Sequence, residues 1–419
     1  MMINATPQTT PQAIPPSRAF AAAGIGFVVA MVDGYDTLML AFIAPLIAKE
    51  WSLLPQTIGA LFASSYAGAA LGATVIGIGA DRFGRKAMLL ASLSLVGVFT
   101  MLCARSANPL QLMAFRAIAG LGLGGALSTI TALTAQNASA EHRRATVTRM
   151  FLGFPVGAIV GGAATAAAMS YLGWRGVFVG GGVCALLLLP IVAVGVSESP
   201  REAGVAGRMH SRRPFAEMVS GGRARDTALF GLCVFLMLLT SYFLVSWIPT
   251  VLTLNGMSPR HAAMGAVLLN CGGIVGSLVL SFILDRKNPL GPVAASLAAG
   301  AILIAVLGYA ILFAGGSTFI LIFAVGLAII GAQGGIPALC VHLYPPSVYA
   351  TAVGLSVACG RLGSIIGPLV GGYLVSAKLG WSSLFLLAAL PALSAALAMW
   401  TLAAVRRGDD GRRGGNGRP

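Results

Sequence analysis

The sequence predicts an all-α membrane protein with twelve transmembrane helices in two pseudo-symmetric six-helix bundles. Three observations carry this. The chain is 57% hydrophobic and only 9% charged, with a mean hydropathy of +0.88, whereas ordinary globular domains carry about 25% charged residues. Long apolar stretches recur along it, each near the roughly 20 residues that a spanning helix requires. Short motifs in the first half also return in the second at a nearly constant offset.

The stretches fall at 20–48, 56–79, 87–104, 109–134, 147–169, 175–196, 227–253, 261–284, 292–313, 317–341, 350–375 and 382–405. Basic residues crowd alternate breaks: Arg82, Arg85 and Lys86, then Arg143, Arg144 and Arg149, then the arginines from Arg201 to Arg225, then Arg286 and Lys287. Arg18 and the tail from Arg406 to Arg418 lie on the same side, while the intervening breaks hold only Lys49, Arg105, Arg175, Arg260 and Lys378. This is the positive-inside pattern. The net charge of +15 therefore reports topology rather than a nucleic-acid partner. Both termini are expected in the cytoplasm, with the chain multi-pass in the plasma membrane, the inner membrane of a bacterium. Gly at 55 of 419 positions suits tightly packed membrane helices.

The repeats divide the chain. Ala80-Asp81-Arg82 follows the second stretch as Leu284-Asp285-Arg286 follows the eighth. Arg144-Ala145-Thr146 opens the fifth and Tyr349-Ala350-Thr351 the eleventh, while Leu172-Gly173-Trp174 and Leu379-Gly380-Trp381 open the sixth and twelfth. The expected organisation is a cytoplasmic tail (1–19), a six-helix bundle (20–196), a cytoplasmic loop (197–226), a second bundle (227–405) and a disordered tail (406–419). The six Cys show no metal-ligand spacing, so neither a metal, a disulfide nor a cofactor is expected. Gly120, Gly122 and Gly125 match GxGxxG but follow no strand, which excludes a dinucleotide site.

Asp33 and Asp36 are the acids inside an apolar stretch. A carboxylate at bilayer depth costs roughly 2.5–3.5 kcal/mol, so two within one turn point to function. Paired and buried carboxylates favour retention of a proton, which is the chemistry of a proton-coupled carrier. Arg116 and Arg361 are the basic residues at depth, one in each half. No nucleophile–base or metal constellation appears, so no catalytic residue is assigned and an enzyme is not expected.

Gly77-Ile-Gly-Ala-Asp81-Arg82-Phe-Gly84-Arg85-Lys86 resembles the signature loop of major facilitator carriers. That resemblance implies a cytoplasmic gate formed by Gly77, Asp81, Arg82, Gly84, Arg85 and Lys86, with Asp285 and Arg286 as the second-half counterpart. Asp33-Gly34-Tyr35-Asp36, followed by Ala41-Phe-Ile-Ala-Pro45, is similar to the first helix of the aromatic acid:proton symporter family within that superfamily. Tyr242-Phe-Leu-Val-Ser-Trp247-Ile-Pro249 and Gly360-Arg361-Leu-Gly-Ser-Ile-Ile-Gly367-Pro368 point the same way.

The family implies uptake of a benzoate-like or hydroxyaromatic carboxylate with protons, by a monomer in the bilayer that uses the proton gradient and no cofactor. Such a substrate needs a cation at depth, which Arg361 or Arg116 can supply bidentately. Tyr35, Tyr242 and Trp247, with Phe42 and Phe154, are candidate ring-stacking walls. Asn270 and Gln333 are candidates for a ring hydroxyl. Two positions depart from the family pattern: Tyr349 stands where an Arg precedes Ala-Thr, and Gln136 where an acid ends the fourth helix. An exporter of drugs or metabolites on the same fold, and a non-transporting aromatic-acid receptor, are the alternatives.

Overall fold

The computed structural model describes residues 16–138, 143–196, 218, 223–284, 289–313, 316–345 and 348–415. Among them the structure is all-helical: α1 (Pro16–Trp51), α2 (Pro55–Phe83), α3 (Arg85–Cys103), α4 (Pro109–Asn137), α5 (Arg143–Phe151), α6 (Gly153–Gly195), α7 (Ala224–Leu254), α8 (Pro259–Leu284), α9 (Leu290–Ala310), α10 (Gly316–Gln333), α11 (Ile336–Leu343), α12 (Tyr349–Ser376) and α13 (Trp381–Gly415). A 3-10 turn at Ile311–Phe313 follows α9.

Among the described residues, 11 helical runs are long and apolar enough to cross a membrane, where the sequence predicts twelve. The fifth and sixth stretches enter that number as one run, Thr146–Gly195. Within it Gly173 leaves helical geometry at φ 61°, ψ −176°, a conformation that glycine reaches without a Cβ clash. The tenth stretch is interrupted between Gln333 and Ile336, with Pro337 in the first turn of the new helix. At the chain's end, α13 continues to Gly415 through residues expected to lack regular structure. Extension from an existing long helix needs no new nucleus.

Glycine sets the helix spacing. Gly68 and Gly72 of α2 lie against the Ala117 and Leu121 backbone of α4, and Gly120 and Gly124 lie against Ser65 and Ala69 in return. A Cβ at any of these would collide with a carbonyl, so only glycine permits the approach. The device recurs in α8 and α10, where Gly272 and Gly276 meet Phe323 and Leu327 and Gly326 meets Leu269. Gly68 and Gly72 sit 204 residues before Gly272 and Gly276, the offset of the Asp81 and Asp285 motifs. Gly153 and Gly157 seat α6 on α1, as Gly363 and Gly367 seat α12 on α7.

The halves of the chain meet chiefly where α2 packs on α12 and α6 on α8. Gly59 lies on the Pro368 carbonyl and Gly372 on that of Pro55. Nearby, Phe62 meets Trp247 edge-on, with centroids 6.2 Å apart, and Tyr66 meets Tyr242 at 4.8 Å. These contacts occupy the end of α2 remote from the basic α2–α3 turn.

Candidate functional site

A cavity of about 450 Å³ lies between the halves, within the usual range for small-molecule sites. Its wall takes Asp33 and Thr37 from α1, Ser65 and Tyr66 from α2, Arg116 from α4, Phe154 from α6, Tyr242 from α7, Gln333 from α10, and Arg361 and Ser364 from α12. The wall extends to Leu127, Phe151 and Val353 near the basic end. At the other end Tyr66 and Tyr242 close it, with Phe62 and Trp247 stacked one layer beyond.

The two aspartates have separate surroundings. Asp36 is 1% exposed and forms an ion pair with Arg116, Nη2 to Oδ2 at 2.9 Å. Thr100 of α3 donates to its Oδ1 at 2.9 Å. Arg116 is fully buried and donates through Nε to Ser65 Oγ at 3.0 Å and through Nη2 to the Asp36 carbonyl at 3.3 Å. The Phe178 ring lies 5.9 Å from the guanidinium carbon. Two charges taken out of water require this degree of compensation. The pair ties α1 to α4, and through Ser65 and Thr100 to α2 and α3.

Asp33 faces the cavity at 7% exposure. No hydrogen bond or ion pair within 4.0 Å satisfies it among the described residues. Arg361 lines the same cavity from the other half, partly exposed and with no ion pair among those residues. A carboxyl and a guanidinium without a direct hydrogen bond or ion pair among the described residues thus share one cavity, flanked by Tyr66, Tyr242 and Phe154. The two aspartates of α1 do not form a carboxyl–carboxyl pair, because Arg116 takes one of them.

The remaining sequence candidates divide. Tyr242 and Gln333 line the cavity. Tyr35 does not: it points between α1 and α6, its hydroxyl 3.5 Å from the Val177 carbonyl. Trp247 is 1% exposed and donates to the Pro368 carbonyl at 3.0 Å, behind the cavity's closed end. Asn270 donates to the Ala266 carbonyl of its own helix at 2.8 Å and lies off the wall. Tyr66, Ser65 and Thr100 are site residues that the sequence reading misses; for the first two, the polar run Ser64-Ser65-Tyr66 inside an apolar stretch was the available signal.

In the gate loop, Gly84 turns at φ 99° between α2 and α3. Asp81 pairs with Arg85 at 3.6 Å, Lys86 donates to the Ala193 carbonyl at 2.6 Å, and the Arg82 guanidinium lies over Phe83. Gly77 sits in α2 one turn before Asp81. Asp285 and Arg286 lie outside the described residues.

Known proteins place the chain. The Major Facilitator Superfamily family model matches residues 26–365 and 290–418. The gallate transporter of Pseudomonas putida is 32% identical over 89% of this chain and 89% of its own length. The 3-(3-hydroxy-phenyl)propionate transporter of Escherichia coli is 33% identical over 92% and 94%. The 4-hydroxybenzoate transporter of Acinetobacter baylyi is 30% identical over 91% of each. Among solved structures, a D-xylose-proton symporter superposes with a TM-score of 0.74 at 18% identity, covering 91% of this chain and 97% of that one. The chain belongs to the Major Facilitator Superfamily and, within it, is related to transporters of aromatic acids.

Proposed function

We propose that this chain is a secondary transporter that imports an aromatic carboxylate together with protons. Its family makes it a transport protein rather than an enzyme. The observation that carries the reading is the cavity in which Asp33 and Arg361 both lack a partner among the described residues. A substrate carboxylate entering a low-dielectric space needs a fixed cation, and Arg361 can grip it bidentately. Asp33 in the same space is best satisfied when protonated, since its charge would repel the substrate. Proton and acid therefore load together. Tyr66, Tyr242 and Phe154 supply ring contacts, and the Asp36–Arg116 pair holds the first half rigid around them.

On this reading the two sides of Gly173 are separate spans, which gives twelve, and the chain divides into bundles at 20–196 and 227–405. The basic loops place the α2–α3 turn and both termini in the cytoplasm of a bacterial cell. The cavity then reaches toward the cytoplasm, and the Phe62, Tyr66, Tyr242 and Trp247 rings close the outer side. Rocking of the halves about the cavity exchanges the two openings. One chain carries a complete cavity, so the monomer is the working unit.

Uptake into proteoliposomes under an imposed inward proton gradient tests this. With a labelled panel of benzoate, hydroxybenzoates, hydroxyphenylpropionates, a sugar and a cationic dye, at least one aromatic acid accumulates and a protonophore abolishes it. Dye moving against the gradient, with no acid accumulated, would make the chain an exporter instead.

A further inference from the structure

Gln333 is the last residue of α10, where Gly334 and Gly335 interrupt the helical run, and its side chain lines the cavity. An amide has a donor face and an acceptor face, and the one that meets the cavity decides what the site can read. The hydrogen-bond network around Ser241 assigns which. Ser241 of α7 donates its single hydroxyl proton to the Met237 carbonyl at 2.9 Å. With that proton so used, its oxygen accepts from the Gln333 amide nitrogen at 2.7 Å, the amide orientation being assigned from this contact. The amide oxygen is left turned from Ser241, with no hydrogen-bond partner among the described residues.

Two serines of the wall are already engaged. Ser356 and Ser364 donate to carbonyls of their own helix at 2.7 and 2.8 Å and are 5% and 2% exposed. Asn270, the second amide that the sequence put forward, bonds Ala266 and lies off the cavity. Gln333, partly exposed and on the cavity wall, thus keeps a neutral acceptor without a hydrogen-bond partner among the described residues.

With the substrate carboxylate on Arg361, the group of the substrate that can donate to this acceptor is a hydroxyl on the ring. We infer that Gln333, oriented by Ser241, reads a ring hydroxyl, so that the carrier selects hydroxylated aromatic acids over the bare ring and over methyl ethers. The inference rests on the aromatic-carboxylate reading above and narrows its substrate class. A site that bonds a hydroxyl discriminates against analogues lacking it, because its own polar group is then left unpaired.

Calorimetric titration of the purified chain with benzoate, 3- and 4-hydroxybenzoate, and the two corresponding methoxybenzoates tests it. One hydroxybenzoate binds at least about fivefold more tightly than benzoate and than its own methyl ether, the size expected for one hydrogen bond. Gln333→Leu erases that difference by weakening the hydroxybenzoate alone, and its retained benzoate binding shows that it is folded. Ser241→Ala, which frees the amide to turn, shrinks the difference. Equal binding of benzoate and hydroxybenzoate by the intact chain would overturn the inference and leave aromatic-acid transport standing. So would a preference that survives Gln333→Leu, or a uniform weakening of all the acids. Binding of none of them by the intact chain would overturn both.

Discussion

Arg116 and Arg361 are the same residue type at similar depth, yet their surroundings give them opposite behaviour on substitution. Arg116 is fully buried and compensates Asp36 at 2.9 Å. Removing one partner of such a pair strands the other charge, at a cost of about 3–5 kcal/mol. Arg116→Ala is therefore expected to lower the melting temperature sharply, and Asp36→Ala with it. The double variant should lose less than the sum of the two, as coupled partners do. Arg361 has no ion pair to lose among the described residues. Arg361→Ala should melt within about 1 kcal/mol of the intact chain, as substitutions that break no buried network do. It should nevertheless bind the aromatic acid at least about thirtyfold more weakly, as loss of a desolvated charge-assisted contact costs roughly 2–5 kcal/mol. Thermal melts and titrations on the variants check both halves of this contrast.

Residue spacing shows which roles the sequence could disclose. At about 100° per residue, Thr37 lies some 40° from Asp33 around α1, whereas Tyr35 lies about 200° away. Thr37 faces the cavity and Tyr35 faces α6, as that spacing requires; treating Tyr35 as a wall residue overlooked it. Trp247 lies about 140° from Tyr242 by the same reckoning and turns to the Pro368 carbonyl. What spacing could not disclose is the division of labour between Asp33 and Asp36, about 60° apart. That depends on Arg116, 80 residues further on, and on which carboxylate its guanidinium meets.

At the scale of helices, the glycine pairs are the strongest constraint. Between α2 and α4 a Cβ on Gly72 would collide with the Leu121 carbonyl and α-carbon, and backbone cannot turn aside as a side-chain tip can. Gly72→Leu should destabilise the fold by about 1–3 kcal/mol or more. Gly24, where a Cβ would meet nothing within 4 Å, should accept leucine with little change. Parallel thermal melts decide it: equal melting of the two variants would show that α2 and α4 do not depend on this approach. These glycines were visible in the sequence as an excess, and their pairing across 204 residues was legible from the repeat. The interruption after Gln333 was not, because Gly334-Gly335-Ile-Pro337 lies inside a run whose hydropathy stays high. Irregular backbone at this depth is tolerated where it lines a cavity, and Gln333, Ile336 and Pro337 do line it.

For the whole molecule, the helix pairings recur from one half to the other and leave the cavity where the halves meet. The fold was legible because the bilayer imposes both the length of each apolar run and the side on which basic residues collect. The run through Gly173 was legible as a turn from Leu172-Gly173-Trp174, although the helix continues on both sides of it. The central claim is that Asp33 carries the proton that accompanies the acid. It is tested most directly by following internal pH in proteoliposomes as 4-hydroxybenzoate is added without a gradient, against protein-free vesicles. The intact chain should acidify the interior as the acid enters. Asp33→Asn should fall to the protein-free rate while still exchanging labelled for unlabelled acid across the membrane. Acidification by Asp33→Asn at the intact rate, or entry of acid with no proton in the intact chain, would contradict the account.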